Sequence, residues 1–132
     1  MAIVGTGIDL VEVKRIAASI ERFGDRFLQR VFTEAEIRYC RSKINANERF
    51  AARFAAKEAG MKALGTGWRG GVAWREVEVG REASGKPTLL FRGRAAEHAA
   101  RLRMTRASLS ITHTQEHAVA QVILESDSAG PA

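Results

Sequence analysis

Apolar positions follow a helical period through the first half of the chain and alternate through much of the second. From Glu12 to Phe23, the residues Val13, Ile16, Ala17, Ile20 and Phe23 recur at three- and four-residue steps while Lys14, Arg15 and Arg22 fall outside the stripe. This spacing predicts an amphipathic helix with a basic flank. Ile3, Val4 and Ile8 are β-formers, so a short strand that delivers Asp9 at its end is expected first. Asp25 to Phe32 reads as a second, short helical stretch, and Thr33 with Glu36 three residues later has the capping-box pattern that opens a helix through Arg41. Ser42 to Asn47 reads as a loop. A long helix is predicted from about Glu48 to Leu64, ended by Gly65-Thr66-Gly67.

After the glycine-rich stretch from Gly65 to Gly71 the period becomes two. Val77 and Val79 alternate with charged residues, Ala83 to Pro87 makes a turn, and Thr88 to Phe91 returns, which predicts a hairpin. Arg94 to Leu102 is helical in pattern. Leu109 and Ile111 alternate with Ser108, Ser110 and Thr112, and His117 to Leu124 is rich in β-formers, so a second hairpin is expected around Thr112 to Glu116. Residues 126–132 are small and polar and read as a disordered tail, leaving 1–125 as one domain. No internal repeat is present.

The charge balance narrows the partners. Lys and Arg total 21 against 15 Asp and Glu, and the isoelectric point is about 10.2, so an acidic partner or a phosphate-rich ligand is favoured. A basic nucleic-acid-binding module is one reading of that charge, but no zinc-finger spacing, aromatic strand motif or basic region with heptads accompanies it. A run of about eighteen apolar residues is lacking, as is a basic stretch leading into a hydrophobic one at the start, so a cytoplasmic protein without a membrane span is expected. The single cysteine, Cys40, sits in a helical pattern and reads as a structural thiol.

Three residues carry candidate chemistry. Asp9 follows a strand pattern with Gly5 and Gly7, whose lack of a side chain would let a bulky ligand approach the backbone. Glu58 and Lys62 lie four apart on the long helix and share a face. Two carboxylates are hard oxygen ligands that suit Mg2+, and a lysine beside them suits phosphate, so Asp9, Glu58 and Lys62 point to magnesium-assisted phosphoryl chemistry. Each also has an ordinary structural reading. Glu58 and Lys62 match a surface ion pair, and Asp9 matches a helix cap. A metal-dependent phosphohydrolase would use the same carboxylates with water as the nucleophile.

Four segments in order, Gly7-Ile8-Asp9-Leu10, Arg53-Phe54-Ala55-Ala56-Lys57-Glu58-Ala59 with Lys62, Gly85-Lys86-Pro87, and Ser110-Ile111-Thr112-His113-Thr114, span the chain. In these segments and in length the chain resembles the holo-acyl-carrier-protein synthases, the small type of phosphopantetheinyl transferase. The resemblance implies an α+β fold, a single phosphopantetheinyl transferase-like domain with a long helix packed on a small antiparallel sheet. It implies transfer of phosphopantetheine from coenzyme A to a serine of apo acyl carrier protein, with release of adenosine 3′,5′-bisphosphate. Asp9 and Glu58 would hold Mg2+ and Lys62 would add positive charge on the phosphates. Arg53, Gly65, Gly85, Pro87, His113 and Thr114 would contact the coenzyme, His113 at its 3′-phosphate.

Lys57 matches the motif yet points away from the Glu58 and Lys62 face, so its coenzyme contact is the weaker inference; His98 and His117 read as structural or exposed. The proton acceptor stays open among a metal-bound water, Asp9 and Glu58. Lys14, Arg15 and Arg22 are expected to dock the acidic carrier, and a homotrimer with sites between neighbours is implied. One departure stands out. Gly60 occupies a position where the family carries a bulky apolar residue, which puts local packing in question.

Overall fold

The computed structural model describes residues 1–66 and 70–128. Its centre is one helix, α4 (Ala46–Leu64), and the reason lies in its alanines. Ala51, Ala52, Ala55, Ala56, Ala59 and Ala63 are all buried and distributed around the axis, so other elements approach α4 from every side. A helix apolar on all sides belongs in an interior, and α4 has no wet face along most of its length.

Around it the chain runs β1 (Ala2–Glu12), α1 (Val13–Phe23), α2 (Asp25–Val31), α3 (Glu34–Arg41), α4, β2 (Val77–Arg81), β3 (Pro87–Phe91), α5 (Gly93–Arg101), β4 (Arg106–His113) and β5 (His117–Ser126). A three-stranded antiparallel sheet, ordered β1-β5-β4, covers one side of α4, and the β2-β3 hairpin covers another. This is the expected α+β arrangement. α3 opens with the expected capping box: the Thr33 N–H donates to Glu36 Oε1 (2.7 Å) and the Glu36 N–H to Thr33 Oγ1 (3.3 Å).

Several expectations shift in detail. β1 is eleven residues long and pairs with β5 beyond Asp9, so Asp9 lies in the strand interior, opposite Ala120, and does not end it. It caps no helix either, since the residue before α1 is Glu12, which makes no side-chain cap bond. α4 begins at Ala46, inside the segment read as a loop. Ser126 is the buried last residue of β5, so the strand reaches into the segment read as a tail; residues 129–132 lie outside the described ones, as does Gly67.

The β1 glycines serve the helix. A Cβ on Gly5 would strike the Ala63 carbonyl, and one on Gly7 the Ala59 carbonyl. Two strand residues advance about 6.8 Å and four helical residues about 6 Å, so β1 and α4 stay in step as they run past each other. Gly60 is explained the same way from the opposite side. Its position faces Val77, Leu89 and Phe91 of the hairpin, with Val77 Cγ1 only 3.0 Å from where a Cβ would sit, so hairpin side chains fill the space a larger residue would take.

A fully buried ion pair ties the same hairpin to the helices. Lys57 Nζ lies 2.8 Å from Glu36 Oε1, with both side chains wholly buried. Lys57 also donates to the Val77 carbonyl (2.6 Å) and the Trp74 carbonyl (3.2 Å), and Glu36 Oε2 accepts from the Val79 N–H (2.7 Å). Such a pair holds only when the remaining donors and acceptors are met, as they are here. Lys57 therefore faces the core, with its ammonium group turned to Glu36 and to the Trp74 and Val77 carbonyls. Among the described residues no helix is long and apolar enough to cross a membrane.

Candidate active site

The strand and helix registers together bring Asp9 to Lys62. Lys62 Nζ donates to Asp9 Oδ1 at 2.9 Å and to the Ile8 carbonyl at 3.0 Å. The ion pair that forms is thus across the seam between β1 and α4, and the surface pairing of Glu58 with Lys62 is not made. Lys62 keeps one of its three N–H donors and half of its surface for solvent, whereas Asp9 is 8% exposed. The second oxygen, Asp9 Oδ2, is buried and has no hydrogen-bond partner among the described residues.

Glu58 shares this seam. Partial burial and then the charge of Asp9 push the Glu58 carboxyl up to about 7, against the opposing charges of Lys62 and Arg15. Two carboxylates this close repel when both are ionised, and a cation between them removes the repulsion. An orphaned buried oxygen on one carboxylate and a destabilised charge on its neighbour are what a divalent hard cation relieves, so the donor set fits Mg2+. Arg15 was expected at the carrier-docking surface alone, but its charge also reaches Glu58. Met61, three residues beyond Glu58, lines an apolar recess of about 220 Å³ with Val72, Ala73, Trp74 and Arg30.

The remaining expected residues gather elsewhere. Arg53, Gly85, Pro87 and His113 line a second cleft of about 150 Å³, together with Tyr39, Arg49, Arg81 and Ile111. Arg53 precedes Glu58 by five residues, which turns it roughly 140° around α4 and about 7.5 Å along it. The two sites therefore face different directions on one chain. His113 Nδ1 pairs with Glu48 Oε1 at 3.1 Å, leaving the other ring nitrogen unclaimed by that contact. Gly85 has φ of 93°, a left-handed conformation that suits glycine at the tip of the β2-β3 turn.

Two expected contacts fall outside this cleft's lining. Gly65 closes α4 in the left-handed conformation (φ 78°), three residues past Lys62. Thr114 is exposed, and its hydroxyl accepts from the N–H groups of Glu116 (3.2 Å) and His117 (3.1 Å), so it shapes the β4-β5 turn. Of the other histidines, His98 bonds the Gly70 carbonyl at 3.0 Å and is structural, while His117 is exposed. Cys40 is buried, and burial pushes its thiol up to about 12, which leaves it inert.

The basic flank on α1 is present. Lys14, Arg15 and Arg22 are exposed, and α2 extends the surface with Arg26 and Arg30 around Phe23 and Phe27, which line a cleft of about 320 Å³. Phe23, read as part of the buried stripe, is instead half exposed. Tyr39, Arg49 and Arg81 were missed in the sequence; the only signal for them was the surplus of arginine.

Known proteins share both the sequence and the fold. The chain is 68% identical to the holo-[acyl-carrier-protein] synthase of Koribacter versatilis, over 93% of this chain and 98% of that one. Among solved structures, the holo-[acyl-carrier-protein] synthase of Neisseria meningitidis superposes with a TM-score of 0.85 at 35% identity, covering 94% of this chain and 99% of that chain. The Helicobacter pylori holo-[acyl-carrier-protein] synthase, solved in complex with coenzyme A, superposes with a TM-score of 0.80 at 28% identity, covering 91% and 99%. Residues 5–122 match the family model described as the 4′-phosphopantetheinyl transferase superfamily, and the chain belongs to that family of enzymes.

Proposed function

We propose that this enzyme transfers phosphopantetheine from coenzyme A to a serine of an apo acyl carrier protein, using Mg2+ and releasing adenosine 3′,5′-bisphosphate. The observation that carries the reading is the Asp9–Glu58–Lys62 seam, in a chain whose relatives are named for this reaction and include one bound to coenzyme A. Asp9 and Glu58 would hold the metal, which when bound supplies positive charge that neutralises the diphosphate of the donor. The rest falls to the protein's own groups. Lys62 is anchored by two hydrogen bonds and offers its remaining N–H to a phosphate oxygen.

The second cleft takes the nucleotide end of coenzyme A. Arg49, Arg53, Arg81 and His113 line it, with no acidic residue among the described residues of its walls, which suits a phosphate group. Because Arg53 and Glu58 face different directions, one molecule of coenzyme A is shared between the cleft of one subunit and the seam of the next. The outer face of β1 supports such an assembly: Ile3, Ile8 and Leu10 are each at least 60% exposed on an edge strand. We assign this face to a homotrimer interface. The acidic carrier docks on Lys14, Arg15 and Arg22, with Phe23 and Phe27 as apolar anchors.

The test is direct. Incubation with coenzyme A, Mg2+ and apo acyl carrier protein, followed by intact-mass measurement of the carrier, should show one phosphopantetheine added. Hydrolysis of the diphosphate with an unmodified carrier would replace this reading with a phosphohydrolase, and nucleic-acid binding without either reaction would replace it with a binding module.

A further inference from the structure

The nucleotide cleft is built on one aromatic ring. The guanidinium carbon of Arg53 lies 4.2 Å from the centroid of Tyr39, that of Arg81 4.6 Å from the same centroid, and Lys43 Nζ 5.3 Å. Arg49 donates from Nη1 to the Tyr39 hydroxyl at 3.4 Å. These cations come from three parts of the chain, and no acidic side chain lines the cleft with them; Glu48, the nearest such group on α4, is committed to His113. Burial alone would raise the Tyr39 phenol, yet the neighbouring guanidinium groups of Arg81, Arg53 and Arg49 together hold it below its usual range.

Guanidinium groups brought together repel, and no carboxylate in the cleft lining sets their spacing. The ring does so in its place. The electron-rich face of a tyrosine attracts a planar guanidinium and orients it parallel or edge-on, which fixes the direction of its N–H donors. Arg53 is 6% exposed and lines the cleft, so its guanidinium is held desolvated on the ring at the cleft wall. A bidentate fork held this way favours a phosphomonoester, which is compact and doubly charged, over a singly charged bridging phosphate.

We infer that Tyr39 is a positioning residue that sets Arg53 and Arg81 as a pair around one phosphomonoester, so that the cleft selects nucleotides carrying a 3′-phosphate. This rests on the proposed reading of the cleft as the nucleotide site. Coenzyme A has one such group beside its diphosphate, and the diphosphate belongs at the Asp9–Glu58 seam.

Calorimetric titration of the full-length protein with adenosine 3′,5′-bisphosphate and, separately, with adenosine 5′-monophosphate tests it without relying on turnover. The parent should bind the bisphosphate at least tenfold more tightly. Tyr39→Leu should erase about tenfold of that preference, Tyr39→Phe should retain it within about twofold, and Arg81→Lys, an exposed and structurally mild change, should lose it as Tyr39→Leu does. If the parent shows no preference for the bisphosphate, the reading of the cleft fails and the inference with it. If the parent prefers the bisphosphate and Tyr39→Leu and Arg81→Lys prefer it equally, the inference alone is wrong. Loss in Tyr39→Phe equal to that in Tyr39→Leu would assign the effect to the hydroxyl and overturn the role given to the ring.

Discussion

Asp9 and Lys62 meet 2.9 Å apart across the line where β1 crosses α4, and this contact uses only one of the two Asp9 oxygens. The other is buried beside Glu58 without a partner among the described residues, which is what the proposed cation site requires. Neutral isosteres separate these roles. Asp9→Asn and Glu58→Gln should each keep the fold, as judged by circular dichroism, and lower carrier modification by roughly 100-fold or more, the scale of losing an electrostatic group aimed at a reacting phosphate. Wild-type rates in either variant would remove the carboxylates from the mechanism.

Glu58 makes the site pH-dependent. Its folded pKa, about 7, lies above the ordinary carboxyl value of 4.5, so the metal-free fold favours the protonated form. The raised pKa costs nothing below the ordinary value, and the penalty grows as pH rises from there until the carboxyl is fully ionised in the fold. If Mg2+ binds the ionised carboxylates as proposed, it should offset that penalty. In thermal melts, added Mg2+ should therefore raise Tm more at pH 8 than at pH 5.5, and the difference should vanish in Glu58→Gln. An equal Mg2+ shift at both pH values would contradict the site.

Lys57 sits next to Glu58 in sequence but holds the core together. Lys57→Met strands the Glu36 carboxylate in the interior with no opposing charge, so it should cost about 3–5 kcal/mol in urea unfolding. The KM for coenzyme A in the folded fraction should be unchanged. A stable Lys57→Met with a raised KM would return this lysine to the coenzyme.

The carrier surface is best tested away from the carboxylates. Arg15 contributes to the charge felt by Glu58, so a change there confounds docking with chemistry, whereas Arg22 lies near the far end of α1. Arg22→Glu should raise the KM for the carrier severalfold and leave the KM for coenzyme A alone, with the difference shrinking as salt shortens the screening length from about 8 Å. Identical carrier kinetics at low salt would remove Arg22 from the interface.

Assembly has its own check. Leu10→Glu places a charge on the exposed face of β1, where Leu10 is 65% exposed in the single chain. If that face joins subunits, light scattering should report a shift from trimer to monomer accompanied by loss of transfer. A monomeric parent with full activity would end the shared-site reading.

Much of this was legible in the chain before any coordinates. The Thr33–Glu36 capping box, the stripe on α1 and both hairpins follow local rules, and local rules survive folding. Asp9, Glu58 and Lys62 were legible because strand and helix periods place them, even though the partners chosen across the seam were not. Tyr39, Arg49 and Arg81 were not legible, because they converge from α3, α4 and β2 and nothing in one sequence pairs such positions. Lys57 misleads for a related reason. A lysine beside a motif glutamate reads as a ligand contact, and only the distant Glu36 and the Trp74 and Val77 carbonyls explain why a charge can be buried there. The glycines of β1 were noticed for the right property, open space at the backbone, but the visitor is a helix.

The pairing of β1 with β5 has a consequence for how the enzyme is born. The strand that carries Asp9 is made first, and the strand that holds it in place, from His117 to Ser126, is made more than a hundred residues later. Until β5 leaves the ribosome, β1 has helix α4 on one side and no hydrogen-bonding neighbour along its length. Long-range pairings of this kind are slow to close and leave an apolar edge uncovered in the meantime. The seam between Asp9 and Lys62 is thus among the last parts of the molecule to exist, and a nascent chain cut short before His117 would carry Asp9, Glu58 and Lys62 yet lack the sheet that presents Asp9.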